Sequence, residues 1–460
     1  MKRPRILLVT IHGCHMPGGG GEVRAHYFTR AAATLGGVTL LTLCGGEGQQ
    51  PDPAIRQLCE LVIESSAASS VGSPRTPASG SGLKLLLAPW QDNWRPFVAA
   101  CVQHGSSLPD GFRRRVFTSV LRWQQQCCTR LGLLPPLKCL AWHREYQRLK
   151  QLVLDAETRY GAFDAVWVED VFSWPFAADL LKNLRQPPAA VICNTYNIET
   201  ALALRQAGTV AGVAERRLAL RTASQLKRME KQAYGKSSLT IVCSEQDRAA
   251  GAELVPAGRF TVVENGVDIT YFRRSRLRTA ATEAPLLLLT GTFTYAPNTE
   301  AACYFAAEIL PEIRRVIPQA RFVLAGRSAH LAQQQLVSLG LQAEAVSNPA
   351  DMRPIFESAA VFVVPLLVGG GTRLKILEAM AMQVPVVSTT IGAEGLNAVA
   401  GEHLQVADNP RQFAECCVRL LAPAVAERQV ETALQWVRSH YDWTALCRKA
   451  ASAVEVFIGK

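Results

Sequence analysis

No apolar run in this 460-residue chain approaches the ~20 residues that a membrane-crossing helix needs. Runs such as 6–11, 85–88 and 286–289 stop after a few residues. The first of them follows a charged start but is too short for a secretory leader and lacks a small-residue cleavage pattern. The chain has no CxxC pair, and its 13 cysteines are odd in number, with vicinal pairs at Cys127-Cys128 and Cys416-Cys417. That excludes a zinc-ribbon pattern and a disulfide framework, and it points to reduced thiols in a cytoplasmic protein. Asp-x-Asp pairs are also missing, and no His/Cys cluster is read as offering divalent-metal ligands, so no divalent-metal site is expected. Acid is in short supply: 38 Asp and Glu face 49 Lys and Arg, a net charge of +11. Anionic partners are therefore favoured, phosphates above all. No nucleic-acid-binding module accompanies the charge, so nucleic acid is not an expected partner.

What the chain does have is core-forming material. Hydrophobic residues make up 48% and charged residues 19%, which excludes disorder throughout and allows two or three domains. Residues 5–11 (RILLVTI) read as a buried strand, followed by the glycine turn 17–21, a helix over 22–35 and a strand over 38–43. That order opens a Rossmann-like unit. Residues 65–82 are rich in Ser, Gly, Ala and Pro and read as a surface loop. Strand-like runs follow at 165–168, 189–193, 239–243 and 260–263, with a long basic helix over 214–234. Residues 273–284 read as a linker. A second alternation then begins, with strands at 286–290, 321–325, 343–346, 361–364 and 385–388 and helices between them, one spanning 299–315. Strands separated by helical patterns imply parallel sheets. The expected organisation is a Rossmann-like domain over 1–275, a second over 285–430, and a C-terminal helix over 431–460 anchored by Trp436 and Trp443.

The segment richest in chemistry is 365–396 (PLLVGGGTRLKILEAMAMQVPVVSTTIGAEGL). Gly369, Gly370 and Gly371 lie between a strand and a helix, where backbone N–H groups can converge on an anion. Thr372 is suited to the N-cap. Arg373 and Lys375 put two cations in the first turn, an unfavourable place unless an anion compensates. Glu378 lies one turn on, and its side chain leans back toward the helix start. A carboxylate there can accept two hydroxyl hydrogen bonds from a ribose. Anion loop, cations and ribose acceptor together describe a nucleotide-diphosphate site.

This block resembles the retaining glycosyltransferases of family 4 (glycosyltransferase group 1), which have the GT-B fold. Supporting pieces are GGGGE at 18–22, CSEQD at 243–247, ENGVD at 264–268, YAPNTEAACYFAAEILPEIR at 295–314 and AGR at 325–327. The resemblance implies an α/β protein with two Rossmann-like domains facing across a cleft, the acceptor on the first and the donor on the second. The final helix would cross back onto the first domain. It further implies sugar transfer from a UDP- or GDP-sugar to a glycan, lipid-linked or small-molecule acceptor in polysaccharide or glycoconjugate synthesis, with no metal and no further cofactor. Glu378 would hold the nucleotide ribose, Gly20 and Gly21 would lie near the donor diphosphate, and Arg327 could reach the nucleotide. Arg373 and Lys375 would carry the charge of the leaving group.

Three positions depart from the family pattern. A glutamate expected eight residues before Glu378 is Gly370. The stretch 290–295 lacks the family's cations, so Arg373 and Lys375 are expected to replace them. A histidine expected before Asn-x-Glu is Tyr196, whose hydroxyl could donate to a leaving phosphate or an acceptor but is a poor base at neutral pH. These departures leave room for a non-catalytic GT-B subunit of an assembly system, or for a nucleotide-sugar epimerase. His12 and His15 sit in the loop after the first strand, where α/β folds bind ligands, and Glu22 and Arg24 open the next helix. Asn265 and Asp268 read as a structural turn. Residues 84–150 hold eleven Lys and Arg, three acids and four tryptophans. They fit peripheral binding to an anionic membrane surface, or a solvated basic face over buried tryptophans.

Overall fold

The computed structural model describes residues 3–14, 20–43, 51–64, 143–209, 212–275, 284–368 and 374–458. Their first sheet holds β1 (Arg5–Thr10), β2 (Gly37–Thr42), β3 (Leu61–Glu64), β4 (Ala165–Glu169), β5 (Ala190–Asn194), β6 (Leu239–Val242) and β7 (Phe260–Val262). All are parallel, in the order β3-β2-β1-β4-β5-β6-β7. The unbroken apolar run of β1 has a direct cause: both faces are covered. Ile6 and Leu8 enter one core, while Leu7 and Val9 enter the core behind the sheet.

The second sheet holds β8 (Leu286–Thr290), β9 (Arg321–Gly326), β10 (Glu344–Ser347), β11 (Val361–Val364), β12 (Val386–Ser388) and β13 (Gln405–Val406). It too is parallel, in the order β10-β9-β8-β11-β12-β13. Leu286 and Leu288 face one core, Leu287 and Leu289 the other. The helix expected over 299–315 is Ala296–Tyr304 and Leu310–Val316, joined by a π-helical turn at Phe305–Ile309. Pro311 falls at the start of the last piece, where its missing N–H is tolerated.

The C-terminal segment is two helices rather than one, Pro423–His440 and Trp443–Ile458, divided at Tyr441-Asp442. The second brings Trp443, Leu446, Ala450, Val454 and Ile458 into the first domain's core. There Trp443 stacks on Tyr27 at 4.6 Å, on helix α1 (Gly20–Leu35). Gly266 permits this return. A Cβ there would lie 2.7 Å from the Tyr441 carbonyl and 2.9 Å from the Trp443 ring. Asn265, Gly266 and Asp268 thus form a tightly bonded turn, with Asp268 accepting from Thr270 N, Tyr271 N and the Tyr27 hydroxyl. The short edge strands β3 and β13 carry little periodicity, and the sequence reading includes neither them nor the helix Trp174–Asn183, whose buried face includes Trp174, Ala177 and Leu180.

Candidate functional site

In parallel α/β sheets, ligands bind beyond the strand C-termini where the strand order reverses. The first sheet reverses between β1 and β4, the second between β8 and β11.

At the first reversal, β1 runs into His12 and β4 ends in Glu169-Asp170. His12 Nε2 lies 2.8 Å from Asp170 Oδ2. Asp170 holds φ +68°, a region that L side chains rarely adopt. Its other oxygen accepts from Phe172 N, which starts a single turn at Val171–Ser173. Ser173 Oγ ties that turn down, donating to the Glu169 carbonyl and accepting from Ile11 N. A Cβ on Gly21 would lie 2.7 Å from the His12 ring, so α1 can start beside this imidazole only with glycine there.

Behind His12 lies a buried polar network. The Glu169 carboxyl accepts from the Tyr196 hydroxyl at 3.0 Å and from Asn194 Nδ2 at 2.8 Å. Arg24, 1% exposed on α1, donates to Asn194 Oδ1, Asn265 Oδ1 and the carbonyls of Val263 and Glu264. Burial pushes the Glu169 carboxyl up to about 7, against the Arg24 charge and hydrogen bonds from Asn194 and Tyr196. Burial also pushes the Tyr196 phenol well up, so it stays protonated. The hydroxyl that the sequence offers to a phosphate or an acceptor thus donates to Glu169, while the Tyr196 ring lies 5.1 Å from that of His12.

At the second reversal stands the helix α2 (Leu374–Ala381). Lys375 Nζ donates to Asn298 Oδ1 at 2.8 Å, and Asn298 is fixed by donating to the Thr292 carbonyl. Glu378 makes no hydrogen bond or ion pair with the described residues, and burial pushes its carboxyl up to about 7 against the nearby Lys375 charge. Arg327 is exposed between Gly326 (φ +129°) and Ser328 (φ +59°) and has no partner among the described residues. Gly369, Gly370, Gly371, Thr372 and Arg373 lie outside the described residues, as do His15 and residues 84–142.

The two reversals meet. A Cβ on Gly20 would lie 3.2 Å from Leu374 Cδ1, so the starts of α1 and α2 touch. Helix starts favour anions in general. Arg205 and Glu394 also bridge the two domains, at 2.8 Å. The structure thus brings Gly20 against the start of the helix that carries Lys375 and Glu378. The sequence reading missed Glu169, Asp170, Asn194 and Asn298. An acidic pair closing the apolar run AVWVED was the available signal for the first two.

No group of three or more His, Cys, Asp or Glu among the described residues is placed to hold a metal ion. No helix among them is long and apolar enough to cross a membrane.

Residues 284–423 match the family model described as Glycosyl transferases group 1. A Klebsiella pneumoniae protein, described as an uncharacterized 44.6 kDa protein in the cps region, is 24% identical over 164 residues. That match spans 34% of this chain and less than half, 42%, of the relative. Sucrose-phosphate synthase from Thermosynechococcus elongatus superposes with a TM-score of 0.64 at 16% identity, over 100% of both chains. HepE from Anabaena, solved with UDP and glucose, gives 0.61 at 13% identity over 98% of this chain and 100% of its own. WaaG, described as a glycosyltransferase involved in lipopolysaccharide biosynthesis, gives 0.59 at 13% identity over 98% and 99%. The architecture is thus the GT-B fold: an α/β protein with two parallel-sheet domains.

Proposed function

We propose that this chain, whose residues 284–423 match the family model described as Glycosyl transferases group 1, is a retaining glycosyltransferase. It transfers a sugar from a UDP- or GDP-sugar to a glycan, lipid-linked or small-molecule acceptor in polysaccharide or glycoconjugate synthesis. The observation that carries this reading is Glu378: an unpaired, sheltered carboxyl next to Lys375, on a helix whose start touches the start of α1. Such a carboxyl needs donors, and ribose hydroxyls supply two. The UDP and glucose in the HepE structure and the cps-region relative support the donor and the pathway class.

In this reading the donor diphosphate lies at the junction of the two helix starts. As the bond from sugar to phosphate breaks, charge grows on the diphosphate. Gly369, Gly370, Gly371 and Thr372 bind the donor, and Arg373 and Lys375 stabilise that charge without a metal. Arg327 reaches the nucleotide. No protein nucleophile is assigned.

Calorimetry and thermal shift with UDP-glucose and GDP-mannose test this reading, since a ligand at 100 times its Kd adds ~2.7 kcal/mol. Binding of one of them, followed by EDTA-resistant nucleotide release, is the expected result. Absence of any nucleotide-sugar binding overturns it.

A further inference from the structure

The first reversal holds a group that the donor site does not use. We propose that His12 is a catalytic residue of the transfer, taking the acceptor's proton on Nδ1, with Asp170 as its positioning residue. This rests on the transferase reading above. Asp170 Oδ2 accepts from Nε2 at 2.8 Å, which places the ring hydrogen on Nε2 and leaves Nδ1 as a proton acceptor. Nδ1 has no hydrogen-bond partner among the described residues. Its edge faces the start of α1, where a Cβ on Gly21 would lie 2.8 Å from it.

The His12 side chain is 20% exposed and that of Asp170 9%, so the ring is open to a ligand while its orienting carboxylate is sheltered. Two backbone features serve this one imidazole: a glycine at 21 and an aspartate at φ +68°. Because Gly20 touches Leu374 and Gly21 lies beside the imidazole, His12 stands on the first-domain side of the donor junction.

The step balances as follows. The acceptor oxygen bonds to the anomeric carbon on the face that the diphosphate leaves, so the configuration is retained, and the bond from that carbon to the phosphate breaks with its electron pair going to the diphosphate. The acceptor proton moves to His12 Nδ1, and the resulting imidazolium is held by Asp170 until the proton is lost to water. Water itself can serve as the acceptor in slow donor hydrolysis.

The test uses the full chain, UDP-glucose and four samples: wild type, His12→Ala, His12→Gln and Asp170→Asn. His12→Gln keeps a donor toward Asp170 and removes the basic nitrogen, so it guards against a merely structural loss. UDP-glucose binding by calorimetry should stay within about twofold of wild type. UDP release should fall about 100-fold or more in both His12 variants, the scale of general-base catalysis. Nitrogen NMR of labelled histidine should show His12 as the Nε2–H form in wild type, with that form diminished in Asp170→Asn. UDP release at the wild-type rate in His12→Gln, or an Nδ1–H form in wild type, overturns the proposal. A wild type that binds no nucleotide sugar overturns the donor reading instead, and the calorimetry separates the two.

Discussion

At Glu169 one carboxyl oxygen accepts from Asn194 and Tyr196 and the other has no hydrogen-bond partner, whereas at Glu378 neither oxygen has a partner among the described residues. Both carboxyls are pushed up to about 7 by burial. Glu169 is nonetheless held by Asn194 and Tyr196 and opposed by the Arg24 charge. A carboxyl tied through one oxygen and faced by a cation keeps its place without a ligand. A sheltered carboxyl with neither oxygen answered raises the energy of the empty protein, and a ligand that supplies donors recovers that energy on binding. The first region is therefore built as a scaffold that aims His12, and the second as a receptor.

Breaking the scaffold should give the largest effect. Arg24→Met strips donors from Asn194, Asn265 and two carbonyls and removes the charge opposite Glu169. Loss of one partner in a buried charged cluster costs about 3–5 kcal/mol. Urea unfolding should show this loss, while any protein that remains folded binds UDP-glucose almost normally. A loss under ~1 kcal/mol would contradict the scaffold role.

The receptor should respond in the opposite way. Glu378→Ala should lower UDP-glucose affinity by about 1.5–3 kcal/mol, the range for hydrogen bonds to a charged group. It should not lower the stability of the ligand-free protein. The sign follows from the pKa: a carboxyl raised from 4.5 to about 7 in the fold binds more protons folded than unfolded. Its ionisation therefore destabilises the fold progressively as pH rises from about 4.5 to about 7. Removing it should flatten that decline. Unchanged nucleotide affinity in Glu378→Ala would mean the donor site lies elsewhere.

The two regions were also unequally legible in sequence. The receptor is local: glycines, cations and Glu378 fall within ten residues, and helix geometry alone relates Lys375 to Glu378. The scaffold is assembled from α1, β4, β5 and the turn at 264–265, so no spacing reveals that Arg24 meets Asn194 or that His12 meets Asp170. For Arg24 and Glu22, at the start of a helix, the sequence allows a solvated pair as readily as a site. Arg24 is 1% exposed, held by Asn194, Asn265 and the carbonyls of Val263 and Glu264. The parallel sheets were readable because strands buried on both faces are continuous apolar runs. β3 and β13 escaped because short edge strands lack that mark.

Tyr196→Phe sits between the two regions in expected size. It removes one donor from a carboxyl that keeps Asn194, so stability should fall by about 1 kcal/mol. UDP-glucose affinity should stay unchanged, because the hydroxyl points to Glu169. Turnover should fall modestly through the His12 ring that packs 5.1 Å away. A weakened UDP-glucose affinity in this variant would contradict the separate roles assigned to the two regions.

The smallest effect is also the most discriminating, because it asks which of two similar carboxyls meets the donor. Empty, Glu378 is about half-protonated near pH 7. Hydroxyl groups that donate to it favour the ionised form and lower its pKa. Binding UDP-glucose near pH 7 should therefore release a fraction of a proton, and affinity should rise a few-fold as pH climbs through about 7, then level off. Calorimetry in buffers of different ionisation enthalpy measures that fraction. UDP-glucose is the right probe, since the terminal phosphate of free UDP would itself titrate with a pKa of about 6. Glu378→Gln should abolish the release and flatten the pH dependence. Tyr196→Phe, which disturbs Glu169 instead, should leave both intact. If the release persists in Glu378→Gln and vanishes in Tyr196→Phe, the donor reads Glu169, and the roles assigned to the two regions are reversed.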